Sequence, residues 1–258
     1  MIIKNLLCLF LIIIIIISIL LFYKYLKNCE SYSNNSDIVK KIWIYWDKGW
    51  EKAPIICKEC LESWKKHNKN WDINELDDKN ISKYITPLNI QNIQKKSDNY
   101  RLQLLKKYGG VWIDATVMCM KPLDNWLPSN NSFFAFSFIP SYKDKLISSW
   151  FLYSEKDGYI VSKLLDNFNY NDKDYFSFHH LFTKLVNNDK IFMNIWNNMK
   201  KISVWDVDLT HRGIFTKLTP YVEKLSETSP LFKLKWKNRY QHNPNTIYKY
   251  ILNKSLNN

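Results

Sequence analysis

The sequence predicts an α/β fold: an open, mainly parallel sheet flanked by helices and preceded by one N-terminal transmembrane helix. Three observations predict it. Short apolar, β-prone runs alternate with helical patterns in the order β-α-β-α-α-β between residues 41 and 114. The chain of 258 residues leaves enough length after its first 27 for one α/β domain with a sizeable core. Finally, Leu6–Tyr23 carries no charge and contains the run Ile13–Ile17.

That first segment spans roughly 27 Å as a helix, close to the hydrocarbon thickness of a bilayer. It ends in Phe-Tyr-Lys-Tyr-Leu-Lys without a small-residue cleavage pattern, so a retained anchor over residues 1–27 is expected rather than a cleaved signal. The expected location is therefore a membrane, with a single pass. Lys4 before the span and Lys24 and Lys27 after it leave the orientation open. A polar stalk follows over 28–39, and one domain over 40–258, with no repeat and no second boundary.

Within that domain, Lys41–Trp46 is apolar and β-prone and reads as the first buried strand. Pro54–His67 reads as a helix, Trp71–Leu76 as a second strand, and Asp77–Tyr84 as a short helix. Ser97 is a suitable N-cap for a helix running to Tyr108 and closed by Gly109. Val111–Ile113 is the third strand, with Asp114 at its carboxyl end, where open α/β sheets bind ligands.

Composition excludes one class of function. The net charge is +13, but only three of 37 basic residues are arginine (Arg101, Arg212 and Arg239), and the lysines are scattered. A nucleic-acid reader gathers Lys and Arg into a stripe and favours arginine for base contacts, so no nucleic-acid partner is expected. Cys57 and Cys60 form a C-x-x-C, yet no second pair stands at zinc spacing, and a buried helix face explains them better.

The chemistry concentrates in Ser97–Leu123. Asp98 and Arg101, three apart, share one helix face. Placed in the first turn, they would point out of a positive helix N-terminus suited to an anionic or hydroxyl-rich ligand. The chain has only five glycines, yet Gly109 and Gly110 stand together here: one can cap the helix, the other allows close backbone approach to a ligand. His179 and His180 read as structural histidines before acceptor-side ones.

The pattern S-D-x-x-R, then G-G, then a strand ending in D-A-T resembles the DXD-type sugar-binding region of the family 32 glycosyltransferases, closest to the capsular polysaccharide synthesis branch. Lys41–Trp46, Asp174–Phe182 and Phe232–Lys237 extend the resemblance over roughly residues 40–240. It implies a GT-A-like fold, a nucleotide-sugar donor, a glycan or polysaccharide acceptor, a hexosyltransferase type of reaction, and retention of anomeric configuration. Carried over by position, Asp98 and Arg101 would hold the ribose and diphosphate side of the donor. Asp114, as the catalytic carboxylate, would reach the donor sugar, the ribose or a metal, with Thr116 beside it. For such a reaction Tyr45 and Trp46 are candidates to stack on the nucleobase, with core packing the competing use of Trp46. Arg101, Lys95 and Lys96 are candidates to receive the leaving diphosphate, with Gly110 allowing close backbone approach. A divalent metal, Mn2+ or Mg2+, would sit on Asp114. Two positions depart from the pattern: Thr116 stands where the second carboxylate of a D-x-D binds metal, and Phe232 where a histidine is common. The alternative is a degenerate relative that binds a nucleotide sugar or glycan without turning it over.

Overall fold

The computed structural model describes residues 15–20, 23, 38–128, 132–236 and 245–257, and the chain divides into Met1–Asp37 and Ile38–Asn258. Of the first unit, 15–20 and 23 are helical and exposed. The remainder of the expected anchor lies outside the described residues, as do all but two residues of the expected stalk. Among the described residues no helix is long and apolar enough to cross a membrane.

The second unit is built on a five-stranded sheet. In chain order its strands are β1 (Lys41–Tyr45), β2 (Asp72–Leu76), β3 (Gly110–Asp114), β5 (Phe133–Ser137) and β6 (Ile147–Ser154). They lie in the spatial order β2-β1-β3-β6-β5. A separate two-stranded sheet pairs β4 (Val117–Cys119) with β7 (Leu231–Lys233). The expectation of a mainly parallel sheet holds for half of it. β1 runs parallel to both β2 and β3, whereas β6 is antiparallel to β3 and β5 antiparallel to β6. The reason is connection length. Helices cross between the first three strands, but residues 138–146 alone join β5 to β6, too few for a parallel return.

Helix α1 (Ile55–His67) follows Pro54, which cannot donate a helical hydrogen bond, and buries Ile56, Cys57, Cys60, Leu61 and Trp64 along one face. Cys57 and Cys60 are buried free thiols on that face. Trp64 is fully buried and donates its indole N–H to the Val117 carbonyl at 2.7 Å, fastening α1 to β4. The expected helix over 77–84 shrinks to a single 3-10 turn at Ile81–Lys83, because Asp77 accepts the backbone N–H groups of Lys79 and Asn80 and holds a turn instead.

Helix α2 (Ile93–Tyr108) begins earlier than Ser97. Asn92 is the cap: its side-chain oxygen accepts from Gln94 N at 2.9 Å and Lys95 N at 3.2 Å. Asp98 and Arg101 consequently lie inside the helix, not in its first turn, and the expectation that they point out of a helix mouth fails. Gly109 ends the helix with φ 70° and ψ −167°, a conformation open mainly to glycine. Gly110 adopts φ +95°, and a Cβ there would lie 2.5 Å from the Lys41 carbonyl oxygen. The close approach expected of Gly110 is therefore made to strand β1, not to a ligand.

The smallest of three apolar clusters holds Ile44, Ala53, Cys57, Leu61 and Ala115, and two more extensive ones fill the rest of this unit. The larger packs the main sheet through Trp43, Trp112, Phe134, Phe151 and Leu152 against α2 and the helices α3 (Tyr159–Asn167), α4 (Ser177–Asn188) and α5 (Lys190–Asn198). The smaller joins Met118 of β4 and Phe232 of β7 to helices α6 (Pro220–Thr228) and α7 (Ile247–Asn257) through Val222, Tyr248 and Ile251.

Candidate functional site

Parallel pairing in register places Tyr45 opposite Asp114, at the carboxyl ends of β1 and β3. An acidic residue ending a strand there is free to face outward, and 29% of the Asp114 side-chain surface is exposed. The adjoining α2 supplies Arg101. Its guanidinium reaches Asp98 Oδ1 at 2.6 Å and Asp114 Oδ1 at 3.3 Å, linking the two carboxylates that the sequence singles out. It also faces the ring of Trp112 at 5.3 Å and of Phe178 at 5.9 Å.

Asp98 and Arg101 are almost wholly enclosed, with 3% and 4% of their side-chain surfaces exposed. Their geometry braces Asp114 from behind, and Asp98 presents no surface to a ligand. Burial, reinforced by the Asp114 carboxylate, outweighs Arg101 and raises the Asp98 carboxyl above its ordinary value. Asp114 responds in the opposite sense. Burial would raise it, but the Lys233 and Arg101 cations and hydrogen bonds from Lys233 and the Trp112 indole outweigh burial and hold it low.

Lys233 is the member that sequence reasoning missed. It lies on β7, opposite Val117 of β4, and its ammonium donates to Asp114 Oδ2 at 3.0 Å and to Thr116 Oγ1 at 2.7 Å. The one signal was its place inside the Phe232–Lys237 stretch. Nothing local revealed that β7 returns across 119 residues to the end of β3.

The remaining candidates fall elsewhere. Tyr45 is 7% exposed, packs edge-on to Tyr100 at 5.3 Å and donates its hydroxyl to Asp78 at 2.5 Å. It is a core residue, because β1 is covered on that side by α2. Trp46 stands at the surface against Trp236, with ring centroids 5.5 Å apart and its indole N–H enclosed without a partner. Lys95 is buried and donates to the Asp174 carbonyl and the Ser177 hydroxyl; Lys96 pairs with Asp78 at 2.9 Å. Neither lysine extends toward Asp114. His179, at the start of α4, has an enclosed Nδ1 without a partner. Burial, followed by the positive charges of Lys145 and Arg101, depresses its imidazole to about 4.

A divalent metal does not fit this set. Among the described residues no group of three or more His, Cys, Asp or Glu side chains converges as metal ligands. Both Asp114 oxygens are already engaged by cations, and Thr116 offers a hydroxyl that accepts from Lys233 where a hard dication prefers carboxylate.

Comparison with known proteins adds a family and several likenesses. A family model described as "Capsular polysaccharide synthesis protein" matches residues 19–251. A curated relative, "Glycosyltransferase afumC" of Aspergillus fumigatus (strain CBS 144.89 / FGSC A1163 / CEA10), is 26% identical over 118 residues, 38% of this chain and 30% of the relative. The match thus spans under a third of that relative's length. Among solved structures, the PaToxG glycosyltransferase is similar at 17% identity and TM-score 0.47, over 69% of this chain and 79% of that one. The apo-form glycosyltransferase GlyE of Streptococcus pneumoniae TIGR4 is similar at 11% identity and TM-score 0.47, over 85% and 61% of the two chains.

Proposed function

Because the chain belongs to the capsular polysaccharide synthesis protein family, whose model spans residues 19–251, we propose that it is a glycosyltransferase of glycan or capsular polysaccharide synthesis. In this reading it moves a hexosyl group from a nucleoside-diphosphate sugar to a glycan acceptor with retention of configuration, as the family 32 and DXD resemblance implies. The observation that carries the reading is one carboxylate, Asp114, part-exposed at the carboxyl end of a parallel strand pair with two cations converged on it.

The physical requirement of such a transfer is stabilisation of the diphosphate as it leaves and gains charge. Asp114, part-exposed at the strand end, is the candidate for holding the donor sugar or ribose. Its depressed ionisation keeps it an acceptor of hydroxyl hydrogen bonds at neutral pH. Arg101 holds the carboxylate in one orientation. Trp46, at the surface beside Trp236, remains the aromatic candidate for the nucleobase, whereas Tyr45 serves the core.

The test uses the full-length chain in detergent with a panel of UDP- and GDP-sugars. Asp114→Asn preserves shape and removes the charge, and is expected to lower donor hydrolysis or transfer by at least about 100-fold, the scale of losing one preorganised electrostatic group. The melting transition should survive. Equal hydrolysis by the variant would remove Asp114 from the site; binding without any turnover by the unaltered chain would favour the degenerate-binder reading. The uncharged run Leu6–Tyr23 supports a single-pass membrane anchor, which predicts that the chain stays with the membrane pellet after carbonate extraction.

A further inference from the structure

We propose that this chain binds its donor and transfers sugar without a divalent metal, the ammonium of Lys233 standing in the place from which a metal would join Asp114 to the donor diphosphate. The inference rests on the nucleotide-sugar reading above and names the group that neutralises the leaving diphosphate.

Position is the first argument. In Asp114-Ala115-Thr116 the first and third side chains flank the place where a D-x-D pair would hold an ion. Lys233 Nζ bridges those two side chains, at 3.0 Å from the carboxylate and 2.7 Å from the hydroxyl. Its backbone is fixed by the β4–β7 ladder, in which Met118 pairs with Phe232, both fully buried. The Lys233 side chain keeps 14% of its surface exposed.

Charge is the second. Two cations, Arg101 and Lys233, are paired with the two carboxylates Asp98 and Asp114, leaving no spare negative charge at the cluster. His179, beside Arg101 and Lys145, is depressed by their positive charges after burial. A cluster without spare carboxylate charge holds a dication weakly, whereas the Lys233 ammonium can still attract a diphosphate. An ordinary D-x-D site carries the opposite balance, with spare carboxylate charge awaiting its ion.

In the transfer itself, the bond between the anomeric carbon and the diphosphate oxygen breaks, and its electron pair stays on that oxygen. The acceptor hydroxyl oxygen forms the new bond to the anomeric carbon, and its proton passes to the departing diphosphate. Lys233 contributes charge to this step, not a proton.

The experiment is calorimetric titration of the full-length chain in detergent with UDP and with GDP, in EDTA and in Mn2+. It compares the unaltered chain with Lys233→Met and Lys233→Arg, each checked by thermal melting. Direct Mn2+ binding is followed by electron paramagnetic resonance. We expect nucleotide affinity within twofold in EDTA and Mn2+, at least a tenfold loss in Lys233→Met, most of the affinity restored in Lys233→Arg, and no Mn2+ bound by the chain alone. A tenfold loss in EDTA that Mn2+ reverses would overturn the inference and leave the nucleotide-sugar reading standing. Undiminished affinity in a folded Lys233→Met would also overturn it. Failure of the unaltered chain to bind either nucleotide under both conditions would overturn the inference and the proposed function together.

Discussion

Without the Arg101 guanidinium, Asp98 would be a carboxylate with 3% of its surface in contact with water and no adjacent guanidinium. Breaking a buried ion pair from one side costs about 3–5 kcal/mol, so Arg101→Ala is expected to destabilise by that amount in denaturant unfolding. Arg101→Lys should recover only part of it, because a point charge does not fork to Asp98 and Asp114 together. His179 gives a second, pH-dependent outcome. Its folded-state value of about 4 lies below the ordinary 6.5, so between those values the unfolded chain binds the proton that the folded chain refuses. Stability therefore falls as pH drops from 6.5 toward 4, by up to about 3 kcal/mol. His179→Gln should flatten that slope when unfolding is compared at pH 4.5 and 7.5; an unchanged slope would remove His179 from the cause. At this scale the sequence is informative where a residue type is rare. Arg101 is one of three arginines and stands between two glycine- and aspartate-marked features. Lys233 is one of many lysines, and only strand pairing distinguishes it.

Elements were legible where a local rule has no strong competitor. The unbroken apolar run of β1, the Pro54 start of α1 and the Gly109 end of α2 all follow from backbone chemistry that neighbours do not override. The start of α2 was not, because Ser97 and Asn92 are both acceptable caps and Ile93–Lys96 are acceptable helix formers. Contact of Gln94 and Lys95 N–H groups with Asn92 decides it, and with it the inward placement of Asp98 and Arg101. Gly110 shows the same limit in another form. A close backbone approach was readable as its glycine need, but the partner that crowds it is the Lys41 carbonyl on a strand far away in sequence. Gly110→Ala is accordingly expected to destabilise by about 1–3 kcal/mol from backbone conformation alone, with more from the 2.5 Å approach to β1. Loss of amide-exchange protection at Ile42–Ile44, which pair with Val111–Ile113, would report the weakened ladder.

On the scale of the whole molecule, the site draws on two packed bodies of apolar side chains. Asp114, Arg101 and Asp98 are carried by elements of the larger cluster, while Lys233 follows Phe232 of the smaller one. A cavity in either is expected to cost about 2–5 kcal/mol of stability. Ile251→Ala, in the smaller cluster, should in addition weaken UDP affinity of the folded protein by loosening β7. Leu164→Ala, in the larger cluster on α3, should not; equal affinities in the two variants would mean that α7 has no hold on the site. The order of the first strands was readable because helices separate them, whereas the antiparallel half of the sheet depends on a short connection joining two almost wholly buried strands. The long reach from β3 to β7 also sets a schedule during synthesis. A ribosome that has extruded everything through α5 has made the acid and its arginine brace but not the lysine that neutralises them. Until β7 leaves the exit tunnel and folds back, the growing chain holds Asp114 braced by Arg101 alone, and competence to bind a phosphorylated sugar waits for that strand.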